Sequence, residues 1–322
     1  MLGSLIKNQD KRESAAVVEH AFSLAKSLSI ETLLIQISSR SQMKRILEKR
    51  TSEKIGWILM GERAPELEDK QDVIIPVPES PLTRVSQMRV ALFLAVAQGF
   101  ATPKESVIAL SGAFGTQRLD TLMILNAGIE FPWYQKQSKA LENSDLPIQT
   151  IERVISWALR LATEGREGRP IGTIFVIGEL AEMQKYTHQL ILNPLAGHKK
   201  KLRTFANTGF FETLRELTGL DGAFLISPNG TVETAGTYLG AASENARTLP
   251  GLGARHTAAA AFTSRCRHTI AVVLSESSGT VTLFQGGDVL LKLEKLAPGT
   301  KSAPSKRAKA WLKTPKRAKI TT

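Results

Sequence analysis

The sequence predicts an α/β protein built of two layered domains, and three observations carry that reading. The chain has 322 residues, enough for about two domains at the usual one to two hundred residues each. Short aliphatic runs alternate with segments of helical period in both halves. A polar stretch ending in proline, Gln135 to Pro147, separates the halves as a linker would. The expected division is a first domain over 1–140, a second over 146–296, and a basic tail over 297–322.

In the first half, Ala16, Val17, Ala21, Leu24, Ala25 and Leu28 recur at helical spacing after Ser14. Leu33 to Ile37 is short, aliphatic and strand-like. Ser41 can cap a helix carrying Met43, Ile46 and Leu47. Trp57 to Met60, before Gly61, and Val73 to Ile75, before Pro76, read as buried strands. A helix over Val85 to Gly99 follows, then strands at Ser106 to Leu110 and Leu122 to Leu125. Strands separated by helices imply a largely parallel sheet.

In the second half, Ile148, Ile151, Ile155, Ala158, Leu159 and Ala162 share one helical face that stops at Gly165. Ile171 to Ile177 is a strand, and helices are expected near Leu180 to Leu192 and Asn207 to Thr218. Ala223 to Ile226 and Thr231 to Thr234 flank Pro228-Asn229-Gly230, a hairpin with Asn-Gly turn chemistry. A glycine-rich loop leads into an alanine-rich helix, Ala254 to Ser264. Strands at Thr269 to Leu274, Thr280 to Phe284 and Val289 to Leu293 close the domain.

The formal net charge is +12. Eight of those charges sit between residues 300 and 322, on Lys301, Lys306, Arg307, Lys309, Lys313, Lys316, Arg317 and Lys319, with no acidic residue among them. Twelve less eight leaves +4 for the rest, so a polyanionic partner such as nucleic acid is suggested for the tail alone. The single cysteine, Cys266, excludes an internal disulfide framework and a Cys-rich zinc site. The N-terminus shows no signal peptide. The most apolar segment, Val90 to Ala101, is about half the length of a membrane span and contains Gln98. A cytoplasmic protein without a membrane span is expected.

Three segments of the second half could carry chemistry. Asp221-Gly222-Ala223 opens a predicted strand; the carboxylate can take a divalent cation or orient a hydroxyl, and Gly222 permits close backbone approach. The same pair can equally be a plain turn. The loop at Gly251 to Gly253 runs into a helix N-terminus, whose free N–H groups suit an anion. There Arg255 adds a two-donor fork, and His256 can donate to a phosphate or handle a proton. The third glycine and the downstream acid of a dinucleotide fingerprint are missing. Ser275-Glu276 ends an aliphatic strand and offers a second carboxylate, or a solvated turn.

Taken together, DGAFLI, the Asn-Gly hairpin, GLGARHTAAAAFT and IAVVLSESSG, in this order and spacing, resemble the diadenylate cyclase domain. The likeness extends upstream through GREGRPIGTIFVIGE and NPLAGH, covering about residues 148 to 294. It implies an α/β domain with a central mixed sheet flanked by helices. It also implies condensation of two ATP into cyclic di-AMP and two pyrophosphates at a face-to-face dimeric site. By the same resemblance Asp221, Arg255 and His256 are the catalytic residues. Gly222, Ala223, Leu239, Gly253, Ala254, Thr257, Ser275 and Glu276 join Arg255 and His256 around the nucleotide. Asp221 and Glu276 would hold Mn²⁺ or Mg²⁺. The implied partners are ATP and a second copy of the chain, with a higher oligomer open.

Three positions depart from the family's pattern. The usual GTRHR reads Gly253-Ala254-Arg255-His256-Thr257, and the second glutamate after Ser-Glu is Ser277. Two competing readings follow: a degenerate nucleotide-binding sensor of the same fold, and a nucleic-acid-associated protein acting through its tail. In the first domain, SVIALSGAFGTQRLDTLMIL resembles the C-terminal α/β domain of pyruvate kinase, an arrangement similar to the archaeal type of diadenylate cyclase. Ser111-Gly112 and Asp120 could line an effector pocket there, or serve as loop and cap.

Overall fold

A computed structural model describes residues 2–60, 67, 69–78, 80–102, 104–113, 116–131, 148–240 and 253–296, with side chains from Gln9 onward. The linker over 135–147, the glycine loop before Gly253 and the basic tail lie outside the described residues. Two sheets organise the rest, one in each half.

The first sheet has the order β3-β2-β1-β4-β5. Its strands are β1 (Thr32–Ile37), β2 (Lys54–Met60), β3 (Val73–Val77), β4 (Ser106–Ser111) and β5 (Thr121–Asn126). The first four are parallel and β5 runs antiparallel to β4, so the expected largely parallel sheet is present. Helices α1 (Leu2–Leu28) and α2 (Arg40–Leu47) accompany α3 (Arg84–Ala97) and the short α4 (Ala127–Glu130). Two sequence details are corrected. The cap of α2 is Ser39, at φ −160° and ψ 152°, whose hydroxyl accepts from the Gln42 N–H; Ser41 lies inside the helix. Strand β3 runs through Pro76 to Val77. Because β3 is an edge strand, the missing proline N–H costs no ladder bond.

The second sheet has the order β12-β11-β10-β6-β8-β9-β7. Its strands are β6 (Thr173–Ile177), β7 (Thr187–Gln189), β8 (Ala223–Ile226), β9 (Val232–Leu239), β10 (Ile270–Leu274), β11 (Val281–Gln285) and β12 (Asp288–Leu293). Only β6 and β8 are parallel, which makes the sheet mixed. Its helices are α5 (Ile148–Glu164), α6 (Leu180–Gln184), α7 (Phe210–Leu217) and α8 (Ala254–Arg265). The helix expected over Leu180 to Leu192 stops at Gln184, because Thr187–Gln189 pairs with β9 as an edge strand. The Asn-Gly hairpin forms as expected: Gly230 takes φ +83° and Ser227 N–H donates to Thr231 O.

The apolar stretch in α3 is explained by its position. Val90, Ala91, Leu92, Leu94 and Ala95 are all fully buried. One side packs on β3 and β4, and the other meets β12 and α5 of the second half. A helix apolar all round is a helix covered all round. One apolar cluster therefore runs from Leu34 and Ile58, through α3, to Ile155, Phe175 and Leu283. No described helix is long and apolar enough to cross a membrane.

The halves are also joined by main chain. Just after β12, Glu294 N–H donates to Ser86 Oγ at 2.9 Å and Glu294 O accepts from Thr83 N–H at 3.1 Å. Lys295 bridges antiparallel to Leu82, and Leu296 N–H donates to Pro81 O at 2.7 Å. The turn into α3 is thus pinned by the chain leaving the second sheet.

Candidate active site

One end of the second sheet collects the candidate residues. Strand β10 finishes where β6 and β8 begin, with Leu274 opposite Thr173 and Ile174 opposite Ala223. That register puts Ser275, Gly172 and Asp221 side by side across three strands. Helix α8 is followed by a short connection into β10, so it runs back over the sheet and its N-terminus returns to the same end. Alanines at 259 and 260 let it sit close on Ile174, Ala223, Ala271 and Val273.

Gly253 is the N-cap residue of α8, at φ −68° and ψ 171°, and among the described residues no side chain caps the first turn. His256 and Thr257 N–H both turn back to Gly253 O. The first N–H groups of a helix have no partner within it and sit at the positive end of its dipole, the arrangement that binds anions. Arg255, 43% exposed in its side chain, donates from Nη1 to Glu276 Oε2 at 3.2 Å. Gly172 lies directly beneath that pair: a Cβ there would come within 2.6 Å of Arg255 Nη1 and 2.8 Å of Glu276 Cβ. Sequence reading did not single out Gly172, since its role is a contact with residues distant in the chain.

Asp221 and Gly222 are exposed, and Ala223 is buried beneath them. Gly222 takes φ +100°, and a Cβ would lie 2.7 Å from Thr237 N and 2.8 Å from Thr237 O. The close approach that this glycine permits is therefore the backbone of β9. Leu239, at the end of β9, is 8% exposed and joins the cluster under α8 with Ala223 and Ile174. Its neighbour Tyr238 is half exposed and stacks on His188 at 4.7 Å between ring centroids.

His256 is placed differently from Arg255. It is 8% exposed, and its ring meets Phe284 edge-on at 6.0 Å. Burial, with Lys292 and Arg255 adding to it, pushes its imidazole below the ordinary histidine value. The departing residues are also visible. Ala254 brings no side-chain polar group to the helix start. The Thr257 hydroxyl turns back toward Gly253 O at 3.5 Å, and the Ser277 hydroxyl lies 3.3 Å from that of Ser275.

The donor set suits a hard divalent cation only in part supplied by protein. Among the described residues no cluster of three or more His, Cys, Asp or Glu side chains could hold a metal. Two exposed carboxylates, Asp221 and Glu276, stand at one sheet end. Mg²⁺ and Mn²⁺ prefer oxygen, and Mg²⁺ often takes one or two carboxylates with phosphate oxygens and water completing the shell.

Comparison with known proteins finds matches in both halves of the chain. Residues 160–289 match the family described as DisA bacterial checkpoint controller nucleotide-binding. Residues 13–131 match the family described as Probable sensor domain DacZ_P. A diadenylate cyclase of Methanocaldococcus jannaschii is 34% identical over 177 residues, 55% of this chain and 56% of that protein. A diadenylate cyclase of Haloferax volcanii is 28% identical over 232 residues, 72% of this chain and 83% of that one. The match thus spans little more than half of the first relative and most of the second. A crystal structure of a hypothetical membrane spanning protein from Bacillus cereus gives a TM-score of 0.34 at 16% identity, over 52% of this chain and 76% of that one. Residues 160–289 thus carry the likeness to that nucleotide-binding family, and both of these relatives are diadenylate cyclases.

Proposed function

We propose that the chain joins two ATP molecules into cyclic di-AMP and releases two pyrophosphates. The observation that carries this reading is the meeting of Arg255, in the first turn of α8, with Glu276 over Gly172, beside Asp221 on the same sheet end.

Each 3′-hydroxyl attacks the α-phosphorus of the other ATP. One P–O bond forms and the bond to pyrophosphate breaks, twice, with one proton released from each hydroxyl. The product is two-fold symmetric, so two copies of the domain facing each other supply two equal sites. Such transfer needs in-line placement and charge neutralisation more than covalent help. Arg255 and the Ala254 and Arg255 N–H groups would hold the phosphates. Asp221 would orient the attacking hydroxyl, and Ala223 and Leu239 would wall the nucleoside. His256, in the same turn of α8 as Arg255 and buried against Phe284, would hold the helix start in place and offer a ring nitrogen to a phosphate or a proton. A divalent cation held by Asp221 and Glu276 would offset phosphate charge.

The test is incubation of the purified chain with ATP and Mn²⁺ or Mg²⁺, followed by chromatography and mass detection of cyclic di-AMP. Asp221→Asn should abolish product while ATP binding is partly retained. A wild-type protein that makes none across metals and pH refutes the reading. The departures at Ala254, Thr257 and Ser277 favour the second reading, a nucleotide-binding sensor; calorimetric ATP binding without turnover would establish it.

A further inference from the structure

We infer that Lys295 is a positioning residue that ties the 275–279 turn, and with it Glu276, to the first domain. The inference rests on the reading of Glu276 as part of the cyclase site.

The backbone of Lys295 belongs to the junction between the halves, bridged to Leu82 beside the start of α3. Its side chain leaves that junction in the other direction. The ammonium donates to Ala162 O at 2.8 Å, in the last turn of α5, where carbonyls lack helical partners. On the way its methylenes cross Gly279. A Cβ on Gly279 would come within 2.6 Å of Lys295 Cε, and Gly279 takes φ +64°. The positive φ favours glycine at this point, and its bare Cα leaves room for the lysine stem.

Gly279 closes the turn that carries Glu276. Its N–H donates to Ser275 O at 2.9 Å, and Ser275 N–H donates to Thr280 O at 2.9 Å. Glu276 then meets Arg255. From Leu82 to Glu276 the chain of contact is unbroken: main-chain bridge, lysine stem, Gly279, turn. A long stem with a cationic end suits this path, since it must cross the turn and still reach a helix C-terminus. A shift in the 81–83 segment would therefore reach Glu276 through Lys295. Ser86 is the corresponding anchor on the first-domain side, because its hydroxyl accepts from Glu294 N–H.

The experiment uses the full chain with Lys295→Ala, Lys295→Arg and Ser86→Ala. Amide hydrogen exchange over 275–280 is followed by mass spectrometry, alongside kcat and KM for ATP. Lys295→Ala should speed exchange in that turn about three- to tenfold, the weight of one or two net hydrogen bonds. It should lower kcat by a similar factor, with KM for ATP within about twofold, because the α8 N-terminus is untouched. Lys295→Arg, whose fork can still reach the carbonyl, should restore both. Ser86→Ala should speed exchange in the same turn from the other domain. Unchanged exchange at 275–280 in Lys295→Ala overturns the inference. So does a Ser86→Ala protein whose turn exchanges like wild type while Lys295→Ala does not. A wild type that forms no cyclic di-AMP would refute the cyclase reading, while the exchange measurements would still decide the link.

Discussion

A single methyl group at Gly172 should separate activity from stability. Its Cβ would lie 2.6 Å from Arg255 Nη1, 2.9 Å from Arg255 Cζ and 2.8 Å from Glu276 Cβ. Ordinary contacts between such atoms are about 3.5–4 Å. The guanidinium is the end of a flexible side chain and can swing away. Glu276 Cβ is the root of its side chain and moves only with the 275–279 turn. Losing an exposed Arg255–Glu276 pair costs about 0–1 kcal/mol of stability, and the remaining overpacking about 1 kcal/mol. Gly172→Ala should thus cost about 1–2 kcal/mol, a shift of only a few degrees in Tm for a chain of this size. Turnover responds far more steeply, since misplacing a reacting group by about 1 Å costs roughly a hundredfold. The assay pairs urea unfolding, read by fluorescence of the buried Trp157, with cyclic di-AMP formation at saturating ATP. Gly209→Ala is the control: its Cβ would meet only Asn207 Oδ1, at 3.3 Å, so stability should stay within about 0.5 kcal/mol. A Gly172→Ala protein that turns over like wild type would show that the Arg255–Glu276 arrangement is not the working one.

Three further outcomes follow from the same geometry. Gly222→Ala adds a Cβ 2.7 Å from Thr237 N and 2.9 Å from Gly236 C at φ +100°; backbone strain and overpacking should cost about 2–5 kcal/mol, and an unmoved urea midpoint would contradict this. The His256 pKa is depressed on folding by burial, then by Lys292 and Arg255. Its contribution to stability is therefore full above the ordinary histidine value and lost as pH falls through the folded value. His256→Gln should flatten the stability profile on that acid side, and parallel profiles for the two proteins would refute it. Burial, partly offset by Arg153, raises Glu152 from 4.5 to about 7. A raised carboxyl stabilises the fold below 4.5 and loses that advantage as pH rises through 7. Glu152→Gln should accordingly gain stability over wild type at about pH 8 and not at about pH 4; equal unfolding midpoints at the higher pH would sink that assignment.

What the sequence made legible was chemistry that acts locally. Asn229-Gly230 names its own turn, and Gly230 takes the positive φ that turn needs. The alanine run after Gly253 marks a helix that must sit close on a sheet, and α8 does so. Asp221, Arg255 and Glu276 were legible as a motif, and the register of β6, β8 and β10 brings them to one sheet end. Long-range pairing was not legible. Thr187–Gln189 looked like the continuation of a helix because its partner, β9, lies far along the chain. Ser39 and Ser41 are chemically equal caps, and only the extended backbone at Ser39 decides between them. The apolar run in α3 was too short for a membrane span, but its cover comes from β12 and α5, which no local pattern announces. Gly172 and Lys295 were invisible for the same reason, since each works by what it touches.

The electrostatics of the site argue in the same direction. The net charge of +12 is mostly tail, and the site sets one guanidinium, Arg255, against two carboxylates, Glu276 facing it and Asp221 on the same sheet end. Such a site can still bind a strongly anionic nucleotide if its internal pair is cheap to open and a cation joins the carboxylates. The pair is exposed on both sides, 43% and 59% in the side chains, and such pairs contribute about 0–1 kcal/mol. On the proposed reading, phosphate replaces Glu276 as the partner of Arg255, and a cation replaces Arg255 as the partner of Glu276. Each charge then keeps an opposite neighbour, so the exchange leaves no buried charge unpaired. A deeply buried pair would have resisted that exchange by several kcal/mol. On that reading, the placement at the rim of the sheet is part of what would let two carboxylates and one guanidinium serve an anion and a cation together.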